Sequence, residues 1–220
     1  MRIMRISRHR NVITGLLGAL VGTYLVGCAS VVTVEADFPA PLVETLPVRV
    51  GLYFDEALTS YEYFEKIPQQ ATWTIHLGRA NELMLGGLFA GMFLETRAVN
   101  ELPLTSADLY RLDGVLRPEL EKFEFEVPIS KRDEFVEVWM QYRLRLYEPD
   151  GALVAEWPVS GYGKAELGKK EEALQQATIV AMREVGAVIS TRFAEQPEIE
   201  YWLQERRNAA ALSAEVPVTD

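Results

Sequence analysis

Two side chains in this sequence could do chemistry unaided, and each stands nearly alone. Cys28 is the only thiol in 220 residues, and His76 is the only imidazole beyond His9. Cys28 follows the small residue Gly27 at the end of an uncharged run, in Leu25-Val26-Gly27-Cys28. That setting suits peptide cleavage at a small residue and covalent modification of the thiol. A Ser-His-Asp arrangement would need His76 as its base. His76 sits with Thr72 and Thr74 on the outward side of an alternating stretch, and no G-x-S-x-G surrounds any serine. Zinc wants several Cys or His. Calcium wants a glycine-centred oxygen loop, whereas Glu119, Glu121, Glu124 and Glu126 lie on an extended run. Gly161-Tyr162-Gly163-Lys164 and Gly86-Gly87 lack the strand, loop and helix context of a phosphate loop. They read as a strand end and a packing notch respectively. The expectation is no catalytic residue, no metal and no enzymatic activity. A carboxylate pair acting on cell-wall glycan is the one catalytic alternative.

The leader gives Cys28 its meaning. Met1 to Arg10 carries Arg2, Arg5, Arg8 and Arg10, and Asn11 to Gly27 carries no charge. A basic n-region, an apolar h-region and a small-residue cleavage site make a secretory signal. The uncharged run of 17 residues includes Asn11, Thr14, Thr23 and four glycines, short of the ~20 apolar residues of a membrane span. Leader, box and solitary cysteine together resemble the lipobox of bacterial lipoprotein precursors. The resemblance implies cleavage between Gly27 and Cys28, with a diacylglycerol and an N-acyl chain such as palmitate on Cys28. It implies no other cofactor. Ala29, standing where an aspartate would retain the product in the inner membrane, implies the periplasmic face of the outer membrane.

Cleavage would leave 193 residues from Cys28 to Asp220 and take the net charge from −10 to −14. So acidic a chain has no electrostatic footprint for nucleic acid. Anchoring would fall to the acyl chains, and no thiol would remain for a disulfide.

Periodicity orders the rest. Residues 28–47, with Pro39, Pro41 and Pro47, read as a lipidated spacer, although Val31 to Val34 is apolar enough to pair. The body is expected over 48–196. Val48 to Phe54 and Ala71 to Leu77 alternate as strands, with a polar and aromatic stretch between them. Leu83, Met84, Gly87, Leu88, Gly91 and Met92 recur at helical spacing within 80–93. Leu94 to Val99 is a short strand, and 102–112 a loop. Gly114 to Val127 is extended, with Glu121, Phe123, Phe125 and Val127 on one face and Pro118 marking an edge or bulge. Phe135 to Tyr147 and Leu153 to Tyr162 form a hairpin closed by Glu148-Pro149-Asp150-Gly151. Residues 163–168 break the sheet, and Glu171 to Phe193 forms the longest helix, acidic in its first turn. Pro197 starts a helix through Leu212, and 213–220 is a disordered tail. The fold class is α+β, a two-layer sandwich of a mostly antiparallel, roughly five-stranded sheet with helices on one face.

This element order is similar to that of small envelope lipoproteins, namely the auxiliary lipoproteins of ABC-type lipid transport systems and the lipopolysaccharide-assembly lipoprotein. The resemblance implies a non-catalytic accessory subunit that docks onto an envelope protein complex. Aromatics exceed what one small core demands, so Trp139, Trp157, Tyr147, Tyr61 and Tyr63 are the expected partner or ligand surface. The alternative is a periplasmic carrier for an apolar ligand such as lipid, held between the glycine-rich helix and the sheet.

Overall fold

The computed structural model describes residues 29–68, 71–105, 111–129 and 134–215. The signal sequence, the cleavage residues Gly27 and Cys28, and residues 216–220 lie outside the described residues. Among the described residues eight strands and four α-helices follow in order: β1 (Ala29–Thr33), β2 (Leu46–Leu52), α1 (Glu56–Thr59), β3 (Glu62–Lys66), β4 (Thr72–His76), α2 (Gly78–Met92), β5 (Phe93–Ala98), β6 (Gly114–Glu126), β7 (Phe135–Tyr147), β8 (Leu153–Glu166), α3 (Lys170–Arg192) and α4 (Pro197–Glu215). One 3₁₀ turn, Phe193–Glu195, joins the last two helices.

The class is α+β as expected, but the strands make two sheets, and both are mixed. The larger runs β5-β2-β6-β7-β8 and the smaller β1-β4-β3. β2 lies parallel to both β5 and β6, while β6, β7 and β8 pair antiparallel. In the small sheet β1 is parallel to β4, and β3 is antiparallel to it. The parallel pairs come from chain returns through α1, β3, β4 and α2, which a strand-by-strand reading does not see.

Residues 29–34, expected within a spacer, instead belong to the folded body. Val32 and Val34 are buried, and the rest of the segment follows α3: Ser30 donates to Glu171, and Gln175 Nε2 to the carbonyl of Glu35. The stretch between β2 and β4 also gains structure. Asp55 caps α1 by accepting from the Leu58 amide. β3 is an edge strand with Tyr63 turned inward and Phe64 left exposed.

The inner face of the large sheet packs against the helices. Val136, Val138, Met140, Tyr142, Leu144 and Leu146 of β7 alternate inward, as do Ala155, Trp157 and Val159 of β8. The hairpin runs four residues past its expected end, and its glycines explain how. A Cβ at Gly161 or Gly163 would overlap the backbone carbonyls of Ala181 and Ala177 on α3. These glycines let helix and strand approach closely; they do not end the strand. Gly87 has no such neighbour and Gly86 only a distant one, so the close approach expected at Gly86-Gly87 is made by Gly161 and Gly163 of β8 instead. Gly151 keeps its turn role, with φ at +92°.

β6 departs from its expected face. A bulge between Leu120 and Lys122 puts Leu120 and Phe123 both inward and swings Glu121 to the outer face. Pro118 lies just beyond Leu116, where β2 stops pairing, so its missing N–H breaks no ladder bond. At the free edge, the amide of Tyr162 donates to Glu184 of α3 at 2.6 Å, and Pro158 stands four residues earlier on the same side. Both devices guard an edge strand against foreign pairing.

Candidate functional site

Since α2 and α3 both lie on the inner face, two surfaces are left to work with: the outer face of the large sheet and the cleft between the two helices.

The outer face is built by odd-numbered residues of β7 and even-numbered residues of β8. Its centre is an ion-pair lattice. Arg143 pairs with Glu121 and, at 2.9 Å, with Glu156. Arg145 pairs with Glu119 at 2.7 Å and Glu156 at 2.5 Å. The hydrogen bond from Arg143 holds the Glu121 carboxyl below its usual range, and that from Arg145 does the same for Glu156. Each arginine is raised in turn by its carboxylate partners. The charges are mutually satisfied and offer no unpaired group for acid-base chemistry.

Toward one end, the lattice gives way to aromatics. Trp139, 40% exposed, lies tilted against Tyr162 at 44°, with ring centroids 5.3 Å apart. The Tyr162 hydroxyl donates to Glu137 at 2.9 Å. The ammonium of Lys164 sits 4.0 Å from the Phe135 ring centroid. An aromatic centre with a charged rim is the anatomy of a protein interface.

Of the five aromatics expected to share a surface, Trp139 and Tyr147 fall on this face by parity, toward opposite ends of β7, and of the two only Trp139 stands exposed on it. Trp157 is buried on the opposite face, edge-on to Phe193 at 5.7 Å. Tyr61 and Tyr63 belong to the small-sheet side, and Tyr63 packs on Phe123 at 5.2 Å. Tyr147 packs against the satellite cluster of Val99, Leu104, Leu112 and Val115. Strand parity separates Trp139 from Trp157, and three-dimensional distance separates the rest. Tyr162 and Phe135 were missed, although both share Trp139's outward face by register. Helix α4 does not cover Trp139; its Trp202 packs beside Gly114 and Leu146 instead.

The second surface is a cleft of about 260 Å³ between α2 and α3, roofed by residues 38–41. It therefore lies between two helices, not between the glycine-rich helix and the sheet. Below it a buried polar link ties α2 to the sheet: Tyr142 donates to Asn81 Oδ1 at 2.6 Å, and Asn81 Nδ2 donates to the Leu58 carbonyl at 3.2 Å. Burial pushes the Tyr142 phenol far above its ordinary value.

His76 Nδ1 lies 3.0 Å from Glu62 on the small sheet, both side chains about half exposed. No serine or cysteine nucleophile adjoins it among the described residues. Among those residues, too, no helix is long and apolar enough to cross a membrane.

No family model matches the chain, and no curated protein matches it. Among solved structures, it is similar to a Xanthomonas campestris protein assigned to DUF330, with TM-score 0.47 and 11% identity over 76% of this chain and 99% of that one. A Helicobacter pylori homolog of neuraminyllactose-binding hemagglutinin gives TM-score 0.48 and 12% identity, over 76% of this chain and 96% of the other. A minor lipoprotein from Acinetobacter baumannii gives TM-score 0.37 and 9% identity, over 69% and 94%. No residue role carries over at such identities.

Proposed function

We propose that this chain is a non-catalytic lipoprotein, anchored through Cys28 at the periplasmic face of the outer membrane. In this reading it serves as an accessory subunit of an envelope transport or assembly complex. The leader and Leu25-Val26-Gly27-Cys28 support the anchoring. The observation that carries docking is Trp139: a tryptophan packed at a tilt against Tyr162, left 40% exposed on a sheet face that no described helix covers. The occupant is a protein, because the ion-pair lattice beside the aromatics suits a polar, hydrogen-bonding rim and not lipid.

The test places a photocrosslinking amino acid at position 139 of the full-length protein in its native host. One dominant crosslinked envelope protein is expected, and a matching probe at Val180, exposed on α3 behind the sheet, should lack it. Trp139→Ala should lower recovery of that partner about tenfold or more while leaving the melting temperature nearly unchanged. Identical crosslinks from positions 139 and 180 would sink the docking surface. The second reading, carriage of an apolar ligand, has its own observation in the α2–α3 cleft.

A further inference from the structure

We infer that the cleft between α2 and α3 binds one acyl chain of an amphiphile whose anionic head meets Arg183. This deepens the carrier reading and is independent of docking through the sheet face.

The cleft exists because of one missing side chain. At Gly186, in the middle of α3, a Cβ would lie 3.9 Å from Met84 Sδ and 4.0 Å from Leu88 Cδ1 on α2. Those are ordinary contact distances, so the helices are spaced for a larger residue than glycine. What remains is a gap of about 260 Å³ floored by Met84, Leu88 and Met182. Unbranched methionines adapt to chains of varying shape. An apolar gap forfeits packing on every wall, and an apolar occupant restores it. The volume falls just below the ~300–1,000 Å³ of pockets that enclose whole ligands. It therefore suits a single chain with its head outside. From Met182 to Ser190 the wall is about 12 Å long at the helical rise.

The roof and the charge give direction. Phe38 and Pro41 close the cleft from above, with Pro41 seated on Gly91. Gln175 and Arg183 hold this strap only through backbone carbonyls, those of Glu35 at 3.3 Å and Asp37 at 3.4 Å. Arg183, exposed at the mouth, has no carboxylate partner among the described residues, in a chain of net charge −10. Arg79, Arg143 and Arg145 are ion-paired, and of the described arginines that are not, Arg183 is the one that lines this cleft. A guanidinium beside an apolar slot matches a carboxylate or phosphate head joined to an alkyl chain.

The experiment uses the full-length protein, purified from membranes into an amphipathic polymer. It is irradiated with diazirine-bearing palmitic acid, a diazirine lysophospholipid or diazirine hexadecanol, and the labelled peptides are mapped. Label is expected on the segments around Met84–Leu88 and Met182–Ala187. Gly186→Leu should cut it about tenfold without lowering the melting temperature, and Gly186→Ala should cut it partway. Arg183→Gln should weaken labelling by the acid and the lysophospholipid but not by hexadecanol, and the stronger anionic probe identifies the head. Label scattered over the surface, or unchanged in both Gly186 variants, overturns the site. Equal losses for all three probes in Arg183→Gln overturn the head-group assignment. Neither result bears on crosslinking from position 139.

Discussion

The two faces of the large sheet are held by opposite physics, though the same strands supply both. Inward, β7 and β8 present aliphatic and aromatic residues and two glycines to α3, and side chains and backbone fit within contact distance. Outward, the same strands present arginines, glutamates and partly exposed aromatics. Interiors are close-packed, so a small change in volume is felt at once. Half-exposed ion pairs are worth little singly, and water replaces them readily. The inner face therefore specifies the fold, and the outer face is free to specify a partner.

The largest effect should come from Gly163. Its Cβ would overlap the Ala177 carbonyl, which is backbone and cannot swing aside. Gly163→Ala should therefore cost about 3 kcal/mol, near the top of the usual range for overpacking. The same change at Gly87, which has open space around it, should stabilise by about 1 kcal/mol through helix propensity. Denaturant unfolding of both variants checks the contrast. Equal responses would mean that α3 does not rest on β8 as described.

Part of this arrangement was legible in the sequence, and the rest was hidden for identifiable reasons. The hairpin and α3 declare themselves because long, regular periods are local signals, and Glu148-Pro149-Asp150-Gly151 closes the hairpin by its own chemistry. Gly161 and Gly163 misled because their neighbours, Ala181 and Ala177, lie on α3, a separate element further along the chain, and glycine spacing cannot reveal what approaches it. The Glu121 face misled because one bulge reverses parity for the remainder of a strand. β1 was hidden because an edge strand of five residues needs a partner, β4, more than forty positions later. Of the candidate site, Trp139 was found from parity alone. Gly186 carried no signal at all: a cleft is an absence between two helices, and no single segment records it.

A smaller effect is expected from Tyr142, where the inner face holds its one described link between sheet and helix hydroxyl and amide. Tyr142→Phe removes the donor to Asn81 Oδ1 and leaves that buried oxygen unpaired. The cost should be about 1–3 kcal/mol. Tyr142→Phe combined with Asn81→Leu should cost less than the sum of the two single changes, because the second removes the orphan left by the first. Additive losses in a double-mutant cycle would remove the link from the account of how α2 is seated.

The gentlest test, and the one that separates the faces most cleanly, is titration. On the outer face, Glu121 and Glu156 are lowered from 4.5 by Arg143 and Arg145. A carboxylate lowered in the folded state contributes stability above its unfolded pKa, and the contribution is lost as pH falls through the folded value. Among the tyrosines the direction reverses, for Tyr162 on the outer face as well as in the interior. Tyr142 is raised from 10.0 by burial, and Tyr63, nearer the surface, is pushed up to about 12. A raised group contributes stability below its unfolded pKa and loses it as pH rises toward the folded value. The acid limb of a stability–pH profile below about 4.5 should thus flatten in Glu121→Gln, and the alkaline limb above about 10 should shrink in Tyr142→Phe. Each variant should leave the other limb in place. If Glu121→Gln alters the alkaline limb as much as the acid one, the two faces are not energetically separate. The outer face would then be part of what holds the fold, and its freedom to serve a partner would be correspondingly smaller.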